Sequence, residues 1–208
     1  QLLGSPDAGG NWYNSSWSNI SNQFDPSNTP SGTYAYIVQG SSSACPDDTS
    51  FLTVNINPTP ILNFPALNDV CSDNLPINLA GATPAGGTYS GTSVNNNIFT
   101  PNINVLGNNT ITYSYTDVNG CSNSAIQNIT VNESPFASAI TTNATCNGFT
   151  NGTALLTISG GNSPFIENWG VFNPLSLSAG TYGYTVTDGN SCIFTDSIII
   201  YEPGETIL

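Results

Sequence analysis

The sequence predicts an all-β chain made of small antiparallel sandwiches in tandem. Three observations carry this. Turn formers (Asn, Gly, Pro, Ser) and strand formers (Thr, Val, Ile, Tyr, Phe) together account for most of the 208 residues. One phrase, a Thr that opens an alternating strand ending in a turn and a Cys, occurs three times. After each Cys comes a second alternating strand and then a proline.

The first copy of the phrase is Thr33 to Val38 leading to Cys45, followed by a strand over Phe51 to Asn57 and an exit at Pro58-Thr59-Pro60. The second is Thr110 to Asp117 leading to Cys121, a strand over Ala125 to Val131, and Pro135. The third is Thr181 to Asp188 leading to Cys192, a strand over Phe194 to Ile200, and Pro203. Thr to Cys is 11 positions in the second and third copies (121 minus 110, 192 minus 181) and 12 in the first (45 minus 33), so one structural unit is repeated. Proline fixes φ and restrains the residue before it, which makes the exits stiff joints. The expected modules are 1–60, 61–135 and 136–208.

A second phrase ties the first two modules together. Gly4-Ser5-Pro6-Asp7-Ala8-Gly9-Gly10-Asn11-Trp12 overlays Gly81-Ala82-Thr83-Pro84-Ala85-Gly86-Gly87-Thr88-Tyr89 at an offset of 77 (81 minus 4). Period-2 alternation between turn clusters at this spacing predicts sandwiches of the immunoglobulin type. Modules this small bury little apolar surface and gain from a covalent staple. Two pairs at similar separations, Cys71 with Cys121 and Cys146 with Cys192, are the expected intramodular disulfides, formed outside a reducing cytoplasm. The counterpart of Cys71 in the first module would fall at position minus 6 (71 minus 77), so Cys45 is expected to have lost its partner to truncation. The chain opens at Gln1 inside a recurring motif and is read as an excerpt of a longer polypeptide.

The chain has no Lys, Arg or His and thirteen Asp and Glu, for a formal charge of −13. It therefore has no arginine clamp, catalytic lysine, imidazole base or cationic groove, which sets nucleic acid and membrane aside as partners. The longest aliphatic run, Ile198 to Ile200, is far too short to span a bilayer. A Ser or Cys nucleophile lacks a base other than a carboxylate, and the carboxylates are scattered, so no enzyme and no catalytic residue is expected. Neither a cofactor nor a metal centre is expected, because there is no His and no CxxC spacing. Asp117-Val118-Asn119-Gly120, Asp188-Gly189-Asn190, Asp47-Asp48, Glu133, Glu202 and Glu205 offer oxygens to calcium. Asn and Asp beside Gly are also what tight β-turns require, and turn chemistry is the stronger explanation.

Trp12 matches Tyr89 in the repeat and is assigned to a sandwich core, as is Trp169. Trp17 has no such counterpart and is the candidate for stacking on a sugar. N-x-Ser/Thr acceptors stand at Asn14, Asn19, Asn108, Asn128, Asn132, Asn143 and Asn151.

The third module carries Cys146-Asn147-Gly148, Asn151-Gly152-Thr153-Ala154, Gly160-Gly161-x-x-Pro164-Phe165, Trp169, Ala179-Gly180-Thr181-Tyr182, Thr185-Val186-Thr187-Asp188, Cys192 and Glu202-Pro203. In that order it resembles the SprB repeat of Bacteroidota gliding adhesins over about residues 136 to 203. Residues 1 to 135 resemble, less distinctively, the immunoglobulin-like modules of the same very large secreted proteins. The resemblance implies an extracellular cell-surface filament, exported by type IX secretion and, in gliding cells, moved by a motor. Its implied partners are an external surface or polysaccharide, neighbouring modules of the same chain, and the secretion and gliding machinery. It also implies an O-glycosylation signal of Asp, Ser or Thr, then an aliphatic residue, which Asp196-Ser197-Ile198 matches, provided Ser197 faces outward. It implies no catalytic residues. The expectation is thus a non-enzymatic structural and adhesive segment. The alternatives are a carbohydrate- or calcium-binding module, or an accessory region of a secreted polysaccharide-degrading enzyme.

Overall fold

The structure, a computed structural model, describes residues 9–20 and 24–204. Gly4 to Ala8 of the second repeated phrase, and Glu205, lie outside the described residues. Apart from one 3-10 turn at Ile103–Val105, the regular elements described are all β-strands, and no helix among the described residues is long and apolar enough to cross a membrane. The chain divides into two compact units, Gln1–Thr59 with Val118–Cys121, and Pro60–Asp117 with Ser122–Leu208.

In the first unit, β1 (Asn11–Tyr13), β2 (Asn19–Ile20), β3 (Gly32–Val38) and β4 (Asp48–Val54) form one antiparallel sheet in the order β2-β1-β3-β4. Alternation along β3 places Tyr34 and Tyr36 on one face, where they join Trp12 in the core, with Val38 and Val54 packed against them. β4 begins earlier than the alternation suggested, because its ladder with β3 closes at once around the turn, with Val38 opposite Asp48.

The second unit contains two hydrophobic cores. Around the first lie seven strands: β5 (Val70–Cys71), β6 (Ile77–Asn78), β7 (Thr88–Ser90), β8 (Val94–Asn95), β9 (Ile98–Phe99), β10 (Gly107–Thr116) and β11 (Ser122–Asn132). They form the sheets β5-β11-β10-β7 and β6-β9-β8. With β5 running parallel to β11 and every other pairing antiparallel, this is the immunoglobulin strand order. Phe99, Ile111, Tyr113, Ile129 and Val131 fill the space between the sheets. Around the second core lie β12 (Pro135–Thr142) paired with β13 (Thr153–Gly160), and β14 (Ile166–Asn168), β15 (Gly180–Thr187) and β16 (Ile193–Ile200) in the order β14-β15-β16. Ala137, Leu156, Trp169, Tyr184, Val186 and Ile200 are buried there.

A three-stranded ladder recurs: β1-β3-β4, β7-β10-β11 and β14-β15-β16. The repeated Thr phrase is its middle strand. On that strand Tyr36, Tyr113 and Tyr184 are buried, and each meets an aromatic on the shorter neighbour or, for Trp169, directly after it, with ring centroids 5.1 Å apart for Trp12–Tyr36, 4.8 Å for Tyr89–Tyr113 and 4.9 Å for Trp169–Tyr184. The Gly-Gly of the second phrase has the same origin in both copies. Gly10 N–H donates to Tyr36 Oη at 3.0 Å and Gly87 N–H to Tyr113 Oη at 2.8 Å. A Cβ on either glycine would come within 2.5 Å of the tyrosine ring, so no larger residue fits.

The disulfide pattern corrects the sequence expectation. Cys71 is bonded to Cys192, and neither Cys71–Cys121 nor Cys146–Cys192 forms. The reason is strand length. Cys71 pairs in register with Asn132 at the end of β11, whereas Cys121 immediately precedes the start of that strand. Eleven residues of extended chain separate the two ends, roughly 36 Å at about 3.3 Å per residue, against a limit near 7 Å for a disulfide. Cys192 likewise precedes β16, while Ala144, two residues before Cys146, donates its N–H to the carbonyl of Tyr201 beyond the other end of that strand. Cys45 and Cys146 are exposed thiols.

Candidate functional site

The chemistry of the chain concentrates at the Cys71–Cys192 junction in the second unit. Its Cα atoms are 5.7 Å apart and its sulfurs 2.04 Å apart. On one side, Cys71 opens a turn in which Asn74 N–H donates to the Cys71 carbonyl at 3.1 Å and Cys71 N–H donates to Asn74 Oδ1 at 2.7 Å. That turn is tied to the residues leaving β11: Ser72 N–H donates to the Asn132 carbonyl at 2.8 Å, and Asp73 N–H to Ser134 Oγ at 3.3 Å.

On the other side, Cys192 closes the turn between β15 and β16 and is fully buried. Asp188, 5% exposed, organises that turn. Its Oδ1 accepts N–H groups of Asn190 (2.9 Å) and Cys192 (2.8 Å), and its Oδ2 accepts that of Asn162 (2.9 Å). Asn190 Nδ2 donates to Asn132 Oδ1 at 3.2 Å, so the turn is held to the end of β11 by a side-chain hydrogen bond and to β5 beside it by sulfur. Asp188-Gly189-Asn190 therefore does turn work with its oxygens already engaged. Asp47 Oδ1 accepts Gly40 N–H, and Glu202 accepts from Asn147 and Gly148, in the same manner. Among the described residues no three His, Cys, Asp or Glu side chains converge as a metal group would need.

In the first unit, Trp17 sits at the tip of the β1–β2 hairpin, 61% exposed and with φ of 57°, a left-handed conformation that costs a bulky residue. Asn14 locks the tip: its Oδ1 accepts N–H groups of Ser16 (3.0 Å) and Ser18 (2.9 Å). The outer face of the sheet carries Phe51, 67% exposed and directly opposite Ala35 in register. Asn14, Ser15, Trp17, Thr33, Ala35 and Phe51 line an open cleft of about 210 Å³. Its two rings are apolar platforms, its rim is amide and hydroxyl, and it carries no charge. Phe51 was missed in the sequence because an aromatic in an alternating strand reads as core; its register opposite Ala35 puts it on the face away from Trp12, Tyr34 and Tyr36.

Ser197 is exposed in β16 and opposite Gly183, a residue with no side chain to cover it. Asn19, Asn108 and Asn128 are exposed. Asn14, Asn132, Asn143 and Asn151 are engaged by their amide oxygens in hydrogen bonds: Asn143 Oδ1 accepts Tyr201 N–H, and Asn151 Oδ1 accepts Thr145 N–H.

Tyr184 is buried against Trp169, and its phenol is pushed above its ordinary value, first by burial and then by the charge of Asp196. Asp25 is held below the ordinary carboxylate value by the Asn28 side chain and then the Ser27 N–H.

No protein-family model matches the chain, and no curated protein matches it. Among solved structures, the chain is similar to Sidekick-1 immunoglobulin domains 1–5 at 12% identity and a TM-score of 0.27, over 95% of this chain and 54% of that one. It is also similar to the N-terminal four Ig domains of Dscam1 isoform 9.44, at 13% identity and a TM-score of 0.29, over 93% and 64%. The chain thus spans less than two thirds of each of these neighbours. The immunoglobulin-type architecture stands on the strand order described above.

Proposed function

We propose that this chain is a non-enzymatic structural and adhesive segment of a large extracellular filament, of the gliding-adhesin kind whose SprB repeat its C-terminal part resembles. The observation that carries this is the Cys71–Cys192 bond, which locks one sandwich of the series to the next. We take the modules to be 1–60, 61–135 and 136–208. A chain stapled between successive modules resists bending and extension at the joint, as a filament that transmits load must. A disulfide also fits an oxidising, extracellular setting. The filament would meet an external surface or polysaccharide, with the type IX secretion and gliding machinery as its cellular partners. The outward Ser197 suits an O-linked glycan. Labelling live source cells with a fluorescent Fab against residues 136–208 tests this function. Labels that travel along the cell support a gliding adhesin, fixed labels favour a static coat, and no labelling overturns the surface location.

A second function is favoured by the Trp17–Phe51 cleft: sugar binding by stacking on two exposed rings. A glycan panel on the intact chain and on Trp17→Ala tests it. Binding lost in the variant supports a lectin-like site, and no binding by the intact chain rejects it. A calcium titration on the same samples tests the turn carboxylates.

A further inference from the structure

The Cys71–Cys192 bond lies where two stretches of chain meet, each drawn out along a strand. The first is residues 60–71, a strap that runs beside β11 over almost its whole length. The Pro60 carbonyl accepts from Asn123 Nδ2 at 2.8 Å, the Phe64 carbonyl accepts from Gln127 Nε2 at 2.7 Å, and Asp69 Oδ1 accepts Thr130 N–H at 3.1 Å. As β5, Val70 and Cys71 then pair in parallel register with Val131 and Asn132. Eleven steps of chain (71 minus 60) thus accompany nine steps of strand (132 minus 123), about 30 Å at roughly 3.3 Å per residue. Eleven steps reach at most about 40 Å, so the strap has roughly 10 Å of slack. Phe64, buried in the core, pins it to the sandwich. The second stretch is β16, eight steps from Cys192 to Ile200 (200 minus 192). A strand already lies close to the full reach of its backbone and has almost no length to give. Its exit is held where the Tyr201 carbonyl accepts Ala144 N–H at 2.9 Å and the Glu202 carboxylate accepts Gly148 N–H at 2.7 Å.

We propose that the bond is a tension bypass. A pull along the chain runs through the strap, crosses from Cys71 to Cys192 and leaves along β16, so the 120 residues between the two cysteines (191 minus 71) carry none of it. Those residues hold β6 to β15 and most of both cores, Ile111, Tyr113, Leu156 and Tyr184 among them. Without the bond the same pull passes through every strand in turn, and only hydrogen bonds and packing resist it. With the bond the path is covalent and close to full reach, and the cores stay folded under loads that would otherwise open them. Reduction removes the bypass and returns all 120 residues to the path. The junction is therefore a redox-controlled stop on extension. This deepens the filament function proposed above and rests on it for its use in the cell.

The test is to hold single whole chains by their two ends at constant force, with Cys45, Cys121 and Cys146 blocked by alkylation, and to add dithiothreitol under load. Before reduction the chain should stretch only as far as the 88 residues outside the loop allow (208 minus 120), roughly 320 Å at about 3.6 Å per residue. One thiolate of dithiothreitol then attacks the bond, and its second thiol closes the reagent to a cyclic disulfide. Two electrons and two protons pass to Cys71 and Cys192. The expected readout is a lengthening of roughly 430 Å as the loop is released, after a waiting time that shortens as the load rises. A waiting time indifferent to load would mean that contacts between the sandwiches, and not the sulfurs, carry the pull, and would overturn the proposal. An unreduced chain that stretches well past the length of the residues outside the loop would overturn it too. The pulling is read on the purified chain and the Fab labels on cells, so failure of one is distinguishable from failure of the other.

Discussion

Cys192 N–H donates to Oδ1 of Asp188 at 2.8 Å, so the sulfur that reaches Cys71 is aimed by a buried carboxylate four residues earlier. That oxygen also holds Asn190, whose amide bonds Asn132, and one aspartate thereby orients both attachments of the turn, to β5 through sulfur and to the end of β11 through the amide.

Replacing Asp188 should be costly. Asp188→Ala leaves three backbone N–H groups without their acceptor, and unfolding in denaturant should show a loss of about 2–4 kcal/mol. Asp188→Asn keeps one acceptor oxygen and should lose less. Slower formation of Cys71–Cys192 on reoxidation is expected in the Ala variant.

Reduction, or Cys192→Ser, should destabilise the second unit. The cross-link joins residues 121 apart in sequence, and closing a loop that long restricts the unfolded chain by roughly 4–5 kcal/mol in the loop-entropy description. Non-reducing peptide mapping should recover a Cys71–Cys192 peptide; a Cys71–Cys121 peptide would contradict the structure.

Gly87→Ala should destabilise the sandwich that contains Tyr113, because the added Cβ falls 2.5 Å from the ring. Overpacking of this kind costs about 1–3 kcal/mol, measurable as a lower Tm. Gly86→Ala gives a useful contrast. Its Cβ meets nothing within 4 Å, but its φ of 98° is unfavourable for any side chain, so the loss there comes from backbone strain alone.

Alkali should loosen the core around Trp169. Tyr184 has its folded value raised above the ordinary 10.0, so its stabilising effect is complete below that pH and is lost as pH rises through the raised value, when the buried phenol must ionise or the core must open. Tyr184→Phe should remove this part of the alkaline transition. A melting curve above pH 10 that is identical in the two proteins would contradict it.

The sequence by itself determined the all-β class, the repeated unit and its longest strands. β3, β10, β11, β15 and β16 lie where the Thr phrase and its partner strand put them, because period-2 alternation over seven or more residues is a local signal. It also pointed to Trp12 as core, through its match to Tyr89 in the repeat, and to Trp169, which follows the Gly160-Gly161-x-x-Pro164-Phe165 turn; both are buried. The two-residue strands β5, β6, β8 and β9 carry no period of their own and are defined only by the neighbours they pair with. Tertiary structure alone decided the cysteine partners. The separations of 50 (121 minus 71) and 46 (192 minus 146) are similar because each measures turn to tip along one module. An extended strand holds those two positions at opposite ends, and the next sandwich brings its tip back to the turn. It also decided the Trp17–Phe51 cleft, since which face of β4 is buried depends on register with β3 rather than on the residues of β4.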